Sequence, residues 1–313
     1  MEKRQLGNSD LHITRVGVGA WAMGGAGWEY SWGSQEDDES IAAIHRALDM
    51  GVNWIDTAAV YGLGHSEEIV ARALKGMANK PYVFTKCSLV WDEKGNITSN
   101  LKADSVRREV EASLRRLQVD VIDLYQIHWP DPDEEIEEGW STLVELQKEG
   151  KLRHIAVSNF SASQLQRAMN IAPITSNQPP YSAIKRGVEA EVLPFCLKNN
   201  IGVIVYSPMQ AGLLTGKMTR ERIENMPADD WRKRDEEYQE PRLSKNLRLA
   251  EAMADIAKRH GVPTPNVSIA WVLNNPAVTG AIVGVRHPNQ VDDVIGGGSL
   301  KLTDEDIRQI ENA

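Results

Sequence analysis

Cysteine is scarce: the 313-residue chain has two, Cys87 and Cys196, far apart and without metal-ligand spacing. That excludes a disulfide framework and a zinc site built on cysteine, and it suits a reducing cytoplasm, the expected location. Long apolar runs are missing too. None approaches the roughly 20 residues of a membrane-spanning helix. The opening Met-Glu-Lys-Arg-Gln-Leu-Gly has no apolar segment of the kind a secretory leader carries. Positive charge is in deficit, with 35 Lys and Arg against 44 Asp and Glu and a net charge of −9. An acidic balance argues against nucleic acid or an anionic membrane as the main partner, while leaving room for a local basic pocket that holds a phosphate. Short repeats, low-complexity tracts and linkers are also absent, so residues 1–313 are expected to form one domain.

What is present is a rhythm. Short apolar runs at 17–21, 54–57, 83–86, 121–128, 155–159, 175–178, 203–207 and 281–285 alternate with amphipathic stretches. In 104–118, Val106, Val110, Leu114 and Leu117 recur at helical spacing with arginines opposite. Ser161 followed by Gln164 reads as a capping box, and Lys148-Glu-Gly150 as a helix stop. Repeated β-then-α units imply a parallel sheet, and eight of them close most naturally into a (β/α)8 TIM barrel. A doubly wound fold would need a helix directly after the glycines Gly17, Gly19, Gly24, Gly25 and Gly27, but tryptophans and a long loop follow instead. Residues 4–13 read as an N-terminal β-hairpin that plugs the barrel bottom. Residues 209–244 form a long polar excursion. Residues 246–260 then make an extra helix ahead of the eighth unit's own helix at 266–274.

Catalytic groups of such barrels lie at the carboxyl ends of strands. That rule selects Asp56 and Tyr61 after the second apolar run, Lys86 after the third and His128 after the fourth. Each has a plain structural explanation if taken singly: an Asp–Lys ion pair, a satisfied interior histidine, a packed tyrosine with a wet hydroxyl. Together they make coherent chemistry. A cation about 4 Å from a phenol stabilises the phenolate by up to roughly 4 kcal/mol at an effective dielectric of 20, a ceiling of about three pKa units. Burial and Asp56 oppose this, so a smaller net gain in Tyr61 acidity is expected. A more acidic phenol is a better proton donor to a developing alkoxide, and His128 can orient the carbonyl oxygen. Trp21, Trp91 and Trp129 follow strands on the same rim and are candidates for the substrate cleft. Trp54, Trp140 and Trp271 read as core.

At these residues the chain resembles the aldo-keto reductase superfamily along nearly its whole length. The carrying motifs are Arg4-Gln-Leu-Gly-Asn-Ser-Asp-Leu, Asp56-Thr-Ala-Ala-Val-Tyr61-Gly62, Val83-Phe-Thr-Lys86 and Tyr125-Gln-Ile-His128-Trp-Pro-Asp. Within it the chain looks most like the bacterial general-stress branch related to potassium-channel β subunits. The resemblance implies a tetrad of Asp56, Tyr61, Lys86 and His128, and an extended NADP(H) across the barrel mouth. It further implies that Ser158, Asn159 and Gln178 hold the carboxamide, and that Tyr206 stacks on the nicotinamide with Trp21 nearby. The loop with Ser207, Pro208, Gln210, Gly212, Leu213, Gly216 and Lys217 would cross the pyrophosphate. Gly284, Arg286, Gln290 and Asp293 would serve the adenosine end, Arg286 forking onto the 2′-phosphate beside the N-terminus of a helix over 288–295. Where the family places an asparagine that reaches adenine, Val294 stands, and valine has no hydrogen bond to offer.

The implied activity is reduction of a small-molecule aldehyde or ketone by NADPH, with Tyr61 as general acid and no metal. Two alternatives stand beside it: a nicotinamide-sensing binding subunit with little turnover, and a Schiff-base aldolase acting through Lys86. The NADP segment around Arg286 argues against the aldolase. The physiological substrate, the favoured direction and the oligomeric state are left open at this point.

Overall fold

The computed structural model describes residues 1–226 and 230–313. Residues 227–229 of the long polar excursion lie outside the described residues. The strands are β1 (Lys3–Gln5), β2 (His12–Thr14), β3 (Val16–Gly19), β4 (Trp54–Asp56), β5 (Tyr82–Cys87), β6 (Leu89–Trp91), β7 (Ile97–Ser99), β8 (Ile122–Ile127), β9 (Leu152–Ser158), β10 (Ser176–Gln178), β11 (Gly202–Val205) and β12 (Gly280–Gly284). The helices are α1 (Asp37–Asp49), α2 (His65–Leu74), α3 (Ala103–Leu117), α4 (Ile136–Lys148), α5 (Ala162–Met169), α6 (Val192–Lys198), α7 (Arg220–Glu224), α8 (Arg242–His260), α9 (Thr264–Asn274), α10 (Pro288–Ile295) and α11 (Asp304–Glu311). Among the described residues, eight strands close into a barrel in the order β3-β4-β5-β8-β9-β10-β11-β12 and back to β3, every pairing parallel. This is the (β/α)8 barrel that the alternating pattern predicts.

The strands alternate inward and outward at every second residue. Outward residues such as Ile55, Tyr125, Val157, Val205 and Val283 pack beneath the helices in the main core. Inward residues Trp54, Phe84, Leu124, Ala156, Ile204 and Ile282 fill the barrel as one layer. The β1–β2 hairpin adds Leu6, Leu11 and Ile13 to that layer, all fully buried. It plugs the bottom as expected, each side chain contributing about 1.5–3 kcal/mol of burial. The indole N–H of Trp54 donates to the Thr14 carbonyl at 2.9 Å, tying plug to barrel. Gly17 is required opposite this ring, since a Cβ there would lie 2.1 Å from Trp54 Cε2.

Element ends follow local chemistry. The capping box at α5 is present: Ser161 Oγ accepts from Gln164 N at 3.3 Å and Gln164 Oε1 from Ser161 N at 3.0 Å. The helix stop at Gly150 adopts φ +80° after α4. Several expectations need correction. The first barrel strand is Val16–Gly19, and Trp21 opens a 3₁₀ turn beyond it. The extra helix begins at Arg242 rather than 246, inside the stretch taken as a loop, and α7 and three 3₁₀ turns also interrupt that stretch. The β6–β7 hairpin between β5 and α3 was not anticipated. Asp92 shapes its turn, its carboxylate accepting from Lys94 N at 2.8 Å and Asn96 N at 2.9 Å. No helix among the described residues is long and apolar enough to cross a membrane.

Candidate active site

One step of two residues beyond the apolar layer takes each strand to its carboxyl end: Trp54 to Asp56, Phe84 to Lys86, Leu124 to Gln126, Ala156 to Ser158, Ile204 to Tyr206, Ile282 to Gly284. The pleat therefore stacks a polar layer on the apolar one. Lys86 Nζ donates to Asp56 Oδ1 at 2.5 Å and to the Thr57 carbonyl at 2.8 Å, and both side chains are buried. The other Asp56 oxygen accepts from Gln126 Nε2 at 3.0 Å and Gln178 Nε2 at 2.9 Å. A buried ion pair that loses one partner costs about 3–5 kcal/mol, so the extra donors hold an arrangement that solvent cannot rescue.

Tyr61 reaches this layer from the turn after β4. Lys86 Nζ lies 5.2 Å from the centroid of its ring. The His128 ring stands edge-on to it at 5.7 Å. The four residues picked from sequence thus meet at one rim. The expected acidity of Tyr61 is overturned: burial, reinforced by the Asp56 charge, pushes the phenol well above its ordinary value. Desolvation of the phenolate outweighs the ammonium, which sits toward the ring and is itself committed to Asp56. Burial also pulls Lys86 down, with Asp56 opposing. His128 falls well below the usual histidine range through burial and then the Lys86 charge. The layer therefore holds a protonated phenol beside a neutral imidazole at neutral pH.

The residues implied for the cofactor form a linked series. Tyr206 Oη donates to Asn159 Oδ1 at 3.0 Å, and Asn159 Nδ2 donates to the His128 carbonyl at 3.0 Å and to Ser158 Oγ at 3.1 Å. Ser158 Oγ donates to the Gln178 carbonyl at 2.8 Å. Gln178 spends its amide nitrogen on Asp56 and Gln126 rather than offering it to the mouth. Ser207, Gln210 and Gly212 have φ of +55°, +46° and +103°, which winds the chain tightly after β11, with Pro208 buried inside. The peptide N–H groups of Gln210 and Gly212 are spent on the carbonyls of Ser207 and Met209, so they do not face an anion. Leu213 is wholly buried in an apolar cluster with Met218 and Tyr238. Lys217 Nζ pairs with Asp293 at 2.8 Å. With Gly216 they line a cleft of about 370 Å³. Gly284 is exposed at the end of β12, and Gln290 Oε1 accepts from Arg286 N at 2.7 Å. Val294 is turned into the main core from α10.

The Arg286 guanidinium faces the loop after β3. Nε donates to Gln35 Oε1 at 2.7 Å, Nη1 to the Trp32 carbonyl at 3.4 Å and Nη2 to the Ser34 carbonyl. The donor set fits a nicotinamide dinucleotide. It offers amides and a tyrosine near the His128 carbonyl, then a lysine, an arginine and the start of an eight-residue helix at the rim.

Of the tryptophans, Trp21 and Trp91 pack with Tyr61, Trp28 and Val60 in an apolar cluster above the polar layer. Trp129 is 44 % exposed and packs in neither this cluster nor the polar layer. Its neighbour His128 follows the inward phase of β8, and one residue further the chain has turned to solvent. Trp54, Trp140 and Trp271 are buried, as expected. Trp231, from the long excursion, stacks on Trp21 at 6.1 Å and meets Trp32 edge-on at 5.4 Å. Sequence reasoning passed over both Trp231 and Gln126. The step of two from Leu124 would have found Gln126, whereas nothing local marks Trp231. Among the described residues no group of three His, Cys, Asp or Glu is placed to hold a metal ion.

Fold and rim together define a (β/α)8 barrel enzyme with its chemistry at the carboxyl ends of the strands. The Aldo/keto reductase family profile matches residues 15–313, so the chain belongs to that family. It is 38 % identical over 313 residues to the aldo-keto reductase YhdN of Bacillus subtilis (strain 168), covering 99 % of this chain and 92 % of that protein. It is 34 % identical to the NADH-specific methylglyoxal reductase of Escherichia coli (strain K12), covering 98 % and 96 %. The solved structure of the glycerol dehydrogenase AKR11B4 from Gluconobacter oxydans matches with a TM-score of 0.89 and 40 % identity over 99 % of this chain and 94 % of that one. The chain is accordingly an oxidoreductase of small carbonyl compounds.

Proposed function

We propose that this chain, acting as one domain in the cytoplasm, reduces an aldehyde or ketone to the alcohol with NADPH, and that Tyr61 gives the proton to the carbonyl oxygen. The observation that carries the reading is the convergence of the buried Asp56–Lys86 pair with the partly buried Tyr61 and His128 rings at one rim. The nicotinamide cofactor supplies a hydride when bound. The protein's part is to hold the carbonyl and move one proton. Burial keeps the phenol protonated, so Tyr61 Oη has a proton to deliver as negative charge develops on the substrate oxygen. Lys86, fixed by Asp56, favours that charge moving onto the phenol oxygen. His128, neutral in this setting, offers a hydrogen bond to the same oxygen without competing for the proton.

Serving the cofactor are Ser158, Asn159, Gln178 and Tyr206 near the reacting end, Lys217 over the middle, and Arg286 and Asp293 at the adenosine end. NADPH is chosen over NADH on the strength of Arg286, since a guanidinium pairs with phosphate through two parallel hydrogen bonds. One relative is by name NADH-specific, so the choice has to be measured on this chain. The names of two relatives put methylglyoxal and glycerol first in a substrate panel. Tyr61→Phe is expected to lower NADPH-dependent reduction of methylglyoxal by at least about a hundredfold, the low end of general acid catalysis, while NADPH still quenches tryptophan emission. Turnover at the wild-type rate would remove Tyr61 from the role.

A further inference from the structure

We propose that Gln35 tunes the choice between the phosphorylated and unphosphorylated dinucleotide, by occupying the part of Arg286 that a 2′-phosphate would take. The proposal rests on the reading of Arg286 given above, and it concerns a residue outside the implied cofactor set. The contact is reciprocal: Gln35 Oε1 accepts from Arg286 Nε at 2.7 Å, and Gln35 Nε2 donates to the Arg286 carbonyl at 2.9 Å. The carbonyls of Trp32 and Ser34 complete the grip on Nη1 and Nη2. Both carbonyls reach one guanidinium because Gly33 between them adopts φ +85°, a conformation that glycine takes without strain.

A guanidinium presents two edges for bidentate pairing, Nε with Nη2 and Nη1 with Nη2. Each edge here already has a protein acceptor. One N–H is left on each Nη, so a 2′-phosphate that pairs through Nε has to displace Gln35. Its negative charge adds direct attraction that carbonyl acceptors lack, so it wins, but its apparent affinity is reduced by the cost of the displacement. A dinucleotide without that phosphate has no quarrel with the loop. Glu39 pairs at 2.8 Å with His287, the residue that follows Arg286. The result is a site that accepts NADPH with only part of the advantage that Arg286 would otherwise confer.

Calorimetric titration of NADPH and NADH into wild type, Gln35→Ala, Gln35→Glu and Arg286→Ala tests this. Gln35→Ala is expected to tighten NADPH by about three- to tenfold, the worth of one or two net hydrogen bonds, with the NADH Kd held within about a factor of two. Gln35→Glu, which pairs its charge with Arg286, is expected to weaken NADPH at least about tenfold and to spare NADH. Weaker NADPH binding in Gln35→Ala, or equal changes for both dinucleotides, overturns the proposal. Arg286→Ala separates the two levels. If it leaves the preference for NADPH intact, the assignment of Arg286 itself falls. If it abolishes that preference while both Gln35 variants keep the wild-type ratio, only the role of Gln35 falls.

Discussion

Gln126 is the clearest case of a residue whose position decides its work. It sits opposite Lys86 in the β5–β8 register and donates to the Asp56 oxygen that Lys86 does not use. Its own Oε1 accepts from Gln178 Nε2 at 3.1 Å. Gln126→Leu keeps the volume but removes both bonds, and a hydrogen bond to a charged group is worth about 1.5–3 kcal/mol. We expect kcat to fall by about tenfold or more, with NADPH binding little changed and the fold intact by circular dichroism. Gln126→Glu, a carboxylate against a carboxylate, should do worse, and wild-type kcat in the leucine variant would show that Asp56 needs no second anchor. The four residues of the proposed tetrad were legible because Asp56, Lys86 and His128 close or directly follow apolar runs and Tyr61 sits in the short turn after the second. Gln126 was not, because it lies inside such a run and reads as strand until the inward phase is counted from Leu124. The direction of the Tyr61 shift was also beyond reach, since it turns on how completely the ring is buried.

Among the elements, the apolar runs of the barrel strands were readable to within three residues, because inward and outward faces are both buried and leave near-continuous apolar stretches; the largest slip is at β9, whose opening Leu152-Arg-His154 is polar in part. The β6–β7 hairpin is hard to read because its strands are three residues each and only partly buried, and Leu89-Val90-Trp91 follows directly on the apolar run of β5. Start points of α8 and α9 slipped because neither helix has a side chain hydrogen-bonded at its N-cap. β3 shows how one small residue sets a whole element: Gly17 lets the Trp54 indole lie flat across the barrel. Gly17→Ala is expected to cost about 1–3 kcal/mol as an overpacked core site, read as a lower urea midpoint with an unchanged m-value. Gly187→Ala, with open space around it and no left-handed backbone, serves as a comparison for glycine replacement without crowding. Equal stability of Gly17→Ala and wild type would mean that the indole has room to yield.

For the molecule as a whole, pH acts on stability through a carboxyl that plays no part in the proposed reaction. Glu109 on α3 is buried beside β5, accepting from Ser88 N at 3.0 Å, and burial pushes it up to about 8. Between its ordinary value of 4.5 and about 8 the folded chain holds a proton that the unfolded chain has released. Stability contributed by this group therefore falls as pH rises through that window, by up to about 4–5 kcal/mol as a ceiling. Thermal midpoints followed from pH 5 to 9 should drop several degrees more in wild type than in Glu109→Gln. Parallel curves would mean that the carboxyl is stabilised in its charged form by Ser88 and Ser105. Such long-range burial was invisible in the sequence, where Glu109 reads as the polar side of an amphipathic helix.

The hairpin that seals the barrel floor has one more consequence. With Leu6, Leu11 and Ile13 packed with Trp54 and Phe84, the barrel floor is closed among the described residues, and the indoles of Trp21, Trp32 and Trp231 gather against one another. The barrel is therefore a cup and not a tunnel: a molecule held at the carboxyl ends of the strands rests on a solid base.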